Sequence, residues 1–202
     1  MGVYAIKPVF QRSLGGAEAW LVARRAHPDM LTAAAVALAV VGGALLWAGA
    51  WAPALLLLVP LLALGRTVLN ALDGLVARRT GRARPWGEVL NEMGDRLADV
   101  ALLGGLALAP TTDGRLGAAA LVAVLLSSYL GVLSKAAGGP RQYGGVMGKA
   151  DRMLYLALAA LVAGLAGRPE WLNVYLAVVL GGALVTCAQR GRETYVALQS
   201  GR

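Results

Sequence analysis

No charged residue occurs from Met30 to Gly65. Shorter uncharged runs recur at Val100–Thr112, Leu116–Ser134, Met153–Gly167 and Trp171–Gln189. A helix needs about 20 mostly apolar residues to cross the hydrocarbon core of a bilayer. A water-soluble core would instead alternate apolar and charged faces, and such faces are missing from these runs. The chain therefore reads as an all-α integral membrane protein. The first run is too long for one crossing and breaks at "WAGAWAP" (Trp47–Pro53), where two tryptophans and a proline mark an interfacial turn. Six spans are predicted, at 30–49, 53–79, 87–109, 115–137, 149–167 and 170–190.

The formal charge of +8 is distributed along the predicted membrane boundary. Lys7, Arg12, Arg24 and Arg25 precede the first span, and Arg78, Arg79, Arg82 and Arg84 join spans two and three. Lys135, Arg141, Lys149 and Arg152 flank the connection of spans four and five, and Arg190, Arg192 and Arg202 close the chain. The opposite connections carry only Arg115 and Arg168. The positive-inside rule puts both termini on the cytoplasmic side. Charge spread along a boundary argues against a nucleic-acid partner and fits contact with anionic membrane lipids. Cys187 is the only cysteine and His27 the only histidine, which excludes an internal disulfide and argues against a Cys/His zinc site or a Ser–His triad. His27 reads as an interfacial residue. Ahead of the first span, Ile6, Val9, Phe10, Leu14, Ala17, Leu21 and Val22 recur at helical spacing. Residues 1–28 are thus expected to form an amphipathic helix on the cytoplasmic leaflet, and 29–202 the membrane domain.

The segment "NALDGLVARRTGRARPWGEVLNEMGDRLAD" (Asn70–Asp99) holds five acids and five arginines between apolar runs. Ionisable groups in a span cost at least about 2.5–3.5 kcal/mol at its centre and persist where they face a cavity, a partner or a metal. Asn70 and Asp73 fall on one face of span two. Glu88, Glu92, Asp95 and Asp99, spaced 4, 3 and 4, fall on one face of span three. With a short joining loop the two helices are expected to be antiparallel neighbours, their polar faces meeting at the cytoplasmic end. Clustered oxygen ligands suit hard divalent cations, and two such ions would bind pyrophosphate oxygens. Gly74 and Gly87 would admit a phosphate close to the backbone, and Arg78 adds guanidinium donors. The competing reading has these acids and arginines simply pairing with one another in a helix bundle.

The segment resembles the signature of the CDP-alcohol phosphatidyltransferases, D-x2-D-G-x2-A-R-x8-G-x3-D-x3-D. Here it reads Asn70, Asp73-Gly74, Ala77-Arg78, Gly87, Asn91 and Asp95, with every spacing kept. "HPDMLT" (His27–Thr32) is similar to the family's Pro-Asn-x-Leu-Thr entry into span one, with Asp29 for Asn. The resemblance implies transfer of a phosphatidyl group from a CDP-linked donor, usually CDP-diacylglycerol, to an alcohol, with release of CMP, in phospholipid synthesis. It implies two metal ions held by the motif aspartates, Mg²⁺ or Mn²⁺ and one or two of them in this chain, with Asp73 as a metal ligand and Asp95 as general base and possible ligand. It implies a CDP site at Asn70, Asp73, Gly74, Ala77, Arg78, Gly87 and Thr32, and homodimers as a family habit. Asn70 and Asn91 stand where the family has aspartates, so two charges are lost from the site. Glu92 and Asp99 are close enough to rebuild it, or else serve Arg66 and Arg96. An active enzyme with a rearranged metal site, one with a single metal, and an inactive member that binds nucleotide, lipid or a partner protein all remain open.

A second polar island, "SKAAGGPRQYGGVMGKADRM" (Ser134–Met153), faces the same side. Lys149 and Arg152 lie one turn apart at the start of span five, where the helix N-terminus adds partial positive charge. With Arg141 they form a candidate seat for an anionic acceptor, against the alternative of ordinary positive-inside charge. Asp151 is expected to cap span five or to pair with Lys149 or Arg152.

Overall fold

A computed structural model describes residues 7–200, and side chains within 10–199. Ile6 and Arg202 lie outside the described residues, as do the side chains of Lys7 and Val9. The described chain is helical. Short helices α1 (Lys7–Ser13) and α2 (Gly15–Ala23) precede six long ones. These are α3 (Pro28–Ala48), α4 (Val59–Arg79), α5 (Pro85–Leu108), α6 (Gly114–Ala136), α7 (Lys149–Ala166) and α8 (Leu172–Ser200). Two 3₁₀ turns, Pro53–Leu58 and Pro169–Trp171, lead into α4 and α8. Prolines open α3 and α5, where the missing N–H costs nothing. Asp113 caps α6, its carboxylate accepting the N–H groups of Arg115 at 2.8 Å and Leu116 at 3.2 Å. Asp151 caps α7 by accepting the N–H of Gly148 at 3.0 Å. The predicted turn after span one is present, with Trp47 and Trp51 edge to face at 4.8 Å.

The long helices close a ring in the order α3, α4, α7, α8, α6, α5 and back to α3. Leucine, valine and alanine fill its centre, among them Leu46, Leu56, Leu106, Val124, Leu156, Leu176 and Val179. The outer surface is also apolar: Val41, Leu61, Leu97, Leu126, Leu158 and Val178 are exposed. Meanwhile Arg66, Asp73, Asp95, Asp99, Arg152 and Arg190 are buried. An apolar exterior around buried charges is the distribution a bilayer imposes rather than water. Helices α3, α6, α4 with its leading turn, and α8 with its leading turn are long and apolar enough to cross a membrane. The other two predicted spans coincide with α5 and α7, which carry too much charge to be read as crossings on composition alone.

Two expectations change in detail. The single N-terminal helix is two, meeting at Leu14, and Leu14, Leu21 and Val22 lean on Leu31, Leu72 and Val76. Helices α4 and α5 run antiparallel but do not pack closely on each other, because α3 packs against both. Glycine explains that wedge. A Cβ on Gly43 of α3 would lie 2.2 Å from the Ala101 carbonyl oxygen of α5, and one on Gly105 would lie 2.2 Å from the Gly43 oxygen. Backbones approach this closely in membranes through small residues. Replacing Gly105 with leucine is expected to cost at least about 1–3 kcal/mol through overpacking. The neighbouring Gly104, with nothing within 4 Å of its notional Cβ, should accept alanine without loss. Thermal unfolding in detergent, followed by tryptophan fluorescence, compares the two.

Candidate active site

The polar faces of α4 and α5 meet through side chains. Two reciprocal pairs cross the gap: Asn70 of α4 donates its amide to Asp95 of α5 at 3.1 Å, and Asn91 of α5 donates to Asp73 of α4 at 2.8 Å. An aspartate in either asparagine's place would set two carboxylates against each other, and the amide replaces that repulsion with a hydrogen bond. Thr32 of α3 donates its hydroxyl to Asp73 at 2.8 Å. It reaches there because Gly94 of α5 leaves room for it, a Cβ on Gly94 falling 3.2 Å from the Thr32 methyl. Asp73 also accepts the N–H of Gly74.

The acidic stripe of α5 faces a matching row of cations. Glu88 pairs with Lys135 at the end of α6 at 3.2 Å, Glu92 with Arg141 of the α6–α7 loop, and Asp95 with Lys149 at the start of α7. One turn deeper Asp99 takes Arg152, whose Nη2 lies 3.2 and 3.0 Å from its two oxygens. Arg66 of α4 adds a contact of 3.4 Å to Asp95, and Arg96 lies 3.7 Å from both Glu92 and Asp99. Burial runs down the row, from the open Lys135–Glu88 pair to Arg152 and Asp99, whose side chains are each 3% exposed. At Arg141 desolvation lowers the pKa, the Glu92 carboxylate outweighs it, and the net shift is upward, so this guanidinium stays charged. Its charge sits 4.9 Å over the Tyr143 ring.

The other predicted positions lie along α4. Gly74 is half-buried, Arg78 is exposed and folds back so that its guanidinium lies beside Gly74, and Ala77 is half-buried one turn on from Asp73. The exposed Arg78 guanidinium leaves its donors open to a phosphate. Gly87 is half-buried at the start of α5, and the only atom near its notional Cβ is a flexible carbon of Arg84 at 3.7 Å. Arg84 reaches across to Asp29 at the head of α3, tying the α4–α5 loop to the "HPDMLT" stretch, where His27 accepts the Asp29 N–H at 3.3 Å.

The fit of divalent cations to these side chains differs between the two motif aspartates. Around Asp73 stand a threonine hydroxyl and an asparagine amide, neutral groups with oxygens to offer. That donor chemistry suits one hard cation. Around Asp95 stand an ammonium, a guanidinium and an amide donor, and that chemistry does not suit a second. Among the described residues no three of His, Cys, Asp and Glu gather as a metal-binding group.

One residue of this region was hidden in the sequence. Arg190 of α8 was legible only as C-terminal positive charge, yet it is buried and donates to the carbonyls of Ser127 at 2.6 Å, Gly144 at 2.9 Å and Tyr143 at 3.4 Å. It pins the loop that carries Arg141. The glycines around Tyr143 hinted at a backbone that something else must hold.

No protein-family model matches the sequence. The chain is 36% identical to the inner membrane protein YnbA of Escherichia coli, over 86% of this chain and 85% of that one. It is 32% identical to a phosphatidylinositol phosphate synthase of Streptomyces avermitilis, over 90% of this chain and 77% of that one. Among solved structures the fold is similar to the phosphatidylinositol phosphate synthase of Mycobacterium tuberculosis with CDP-DAG bound. The TM-score is 0.75 at 23% identity, covering 89% of this chain and 92% of that one. The same enzyme in complex with manganese and citrate gives a TM-score of 0.75 at 24% identity, covering 89% and 88%.

The burial gradient along the row of ion pairs predicts unequal stabilities. Arg152→Met removes the closer partner of the Asp99 carboxylate, leaving Arg96 at 3.7 Å, and is expected to cost about 3–5 kcal/mol, much of it recovered when Asp99→Leu is added. Lys135→Ala, at an exposed pair, is expected to cost no more than about 1 kcal/mol. Thermal and denaturant unfolding of the purified variants measure the difference.

Proposed function

Because the chain belongs to the CDP-alcohol phosphatidyltransferase family, we propose that it moves a phosphatidyl group from a CDP-linked lipid, CDP-diacylglycerol, to a phosphate-bearing alcohol and releases CMP. The observation that carries the acceptor's charge is a surplus of cations along this row, graded from the exposed Lys135 to the buried Arg66 and Arg152. Six of them, Arg66, Arg96, Lys135, Arg141, Lys149 and Arg152, stand against the four acids of α5. Arg66, Arg96 and Arg152 also hold buried N–H groups without a partner. A buried guanidinium with spare donors favours an anion with several oxygens, and a phosphate provides that. Relatives named as phosphatidylinositol phosphate and archaetidylinositol phosphate synthases point to the same class of acceptor.

In this reading all six long helices span the inner membrane, α1 and α2 lie on the cytoplasmic leaflet, and the site opens to the cytoplasm. The cytidine diphosphate head rests on α4 at Asn70, Asp73, Gly74, Ala77 and Arg78, with Gly87 and Thr32 closing the sides, while the acyl chains stay in the bilayer. Arg141, Lys149 and Arg152 draw the acceptor phosphate towards α5. The acceptor hydroxyl attacks the lipid-bearing phosphorus and its proton passes to Asp95. The bridging P–O bond breaks, and its electrons leave with CMP. A divalent ion, Mg²⁺ or Mn²⁺, supplies charge neutralisation for the pyrophosphate when bound at Asp73. Two copies of the chain pair as is usual in the family.

The two asparagines favour a second reading, a catalytically silent member that binds nucleotide or lipid or partners another membrane protein. CMP release from CDP-diacylglycerol, measured with Mg²⁺ or Mn²⁺ against phosphorylated and plain alcohols, separates the two. The enzyme reading expects release that depends on a phosphorylated acceptor and falls about 10²–10⁴-fold in Asp95→Asn, the range for loss of a general base. Wild type as silent as Asp95→Asn, but still binding CDP, would support the second reading. Silence without nucleotide binding sinks the enzyme reading and leaves only the lipid-binding or partner-protein form of the second.

A further inference from the structure

The four acids on the α5 face and Asp73 are not treated alike by the fold. Glu88, Glu92, Asp95 and Asp99 each touch at least one cation, and Asp95 touches both Lys149 and Arg66. Asp73 is about as deeply placed as Asp95 and Asp99, at 5% exposure, yet its oxygens meet only the Thr32 hydroxyl, the Asn91 amide and the Gly74 N–H. Among the described residues no cation lies within ion-pair distance of it. Hydrogen bonds from neutral donors soften the cost of a buried carboxylate, but they do not cancel its charge.

We infer that this site takes a single divalent cation, at Asp73, and that the place of a second is taken by the chain's own charges at Asp95. The inference rests on the family reading for the need of a divalent ion, and departs from the two-ion arrangement that the signature implies. Charge balance supports it. Four motif carboxylates would match two dications, whereas of Asp73 and Asp95 alone the second is paired directly with Lys149 and Arg66 and the first feels Lys149 only from beyond ion-pair distance. The asparagines fit the same division. Asn91 stands beside Asp73 and can turn its amide oxygen towards a cation there. Asn70 spends its amide on Asp95, in a cluster that already contains an ammonium and a guanidinium. Glu92 and Asp99 are the acids nearest in sequence that could restore a second set of ligands. Both are held by arginines, Arg141 and Arg96 for the first and Arg152 and Arg96 for the second, so neither is free to do so.

The test counts ions and does not need turnover. Purified full-length protein is titrated with Mn²⁺ alone, free ion being read by electron paramagnetic resonance. One Mn²⁺ per chain is expected in wild type, lost in Asp73→Asn and kept in Asp95→Asn. The triple variant Asn70→Asp, Asn91→Asp, Lys149→Met is expected to bind a second. Two ions or none in wild type would overturn the inference, and so would loss of the ion in Asp95→Asn with retention in Asp73→Asn. A folded triple variant that still binds only one would overturn the part given to Lys149 and the asparagines. Because no substrate enters the titration, a silent protein that binds one Mn²⁺ leaves this inference standing while the transferase reading fails.

Discussion

A charge inside a membrane protein must find its opposite, and here four acids on one face of α5 each find one. The partners come from three successive pieces of chain: the end of α6, the loop after it, and the first turn of α7. Without that row α5 would carry an uncompensated stripe of carboxylates among apolar helices, at several kcal/mol for each unpaired charge. With it, the row becomes the seam that holds α7 and the loop against α5. The positions of Arg141, Lys149 and Arg152 are then set by acids on the facing helix. Removing one rung moves more than one charge.

The seam needs space on its other side, and α3 provides it. The backbone contact of Gly43 with Ala101 and Gly105 draws α3 onto α5, so α3 takes the place that α4 would otherwise fill. The result is that α4 and α5 are joined by side chains, Asn70 to Asp95 and Asn91 to Asp73, with α3 packed against both. Thr32 joins α3 to Asp73. Lipid gives helices little hydrophobic reason to associate, so small residues and polar contacts decide which helices touch. In this chain both kinds lie on α5, the acids from Glu88 to Asp99 and the close-packed Gly105 beyond them.

Much of this was legible in the residues. Uncharged runs marked the long helices, Trp47 to Pro53 marked the first return, and Asp151 was readable as a cap. The 4, 3, 4 spacing of Glu88, Glu92, Asp95 and Asp99 correctly implied one face. What that face would meet was not legible. Which of many arginines and lysines reaches which acid depends on how distant helices are arranged, and hydropathy carries no information on that. The wedge of α3 was hidden because Gly43, Gly104 and Gly105 look alike in sequence and only two of them touch another backbone. Asn70 and Asn91 read as lost charge. Their gain, an amide that can bridge two helices where two carboxylates would repel, appears only once the partners are seen across the gap. Arg190 was hidden for the same reason, since a terminal cation and a buried clamp are spelled identically.

Arg190 also has a bearing on the bilayer itself. From Leu172 to Arg190, α8 rises roughly 27 Å at 1.5 Å per residue, close to the ~30 Å of a hydrocarbon core. The clamp on the Tyr143 and Gly144 carbonyls therefore sits at the far end of a rigid rod whose length matches the membrane. A thinner bilayer tilts such a rod, whereas a thicker one thins around it. The loop bearing Arg141 would tilt with it, so lipid composition acts on the height of this loop above the acyl chains as a gauge fixed by the number of turns in one helix.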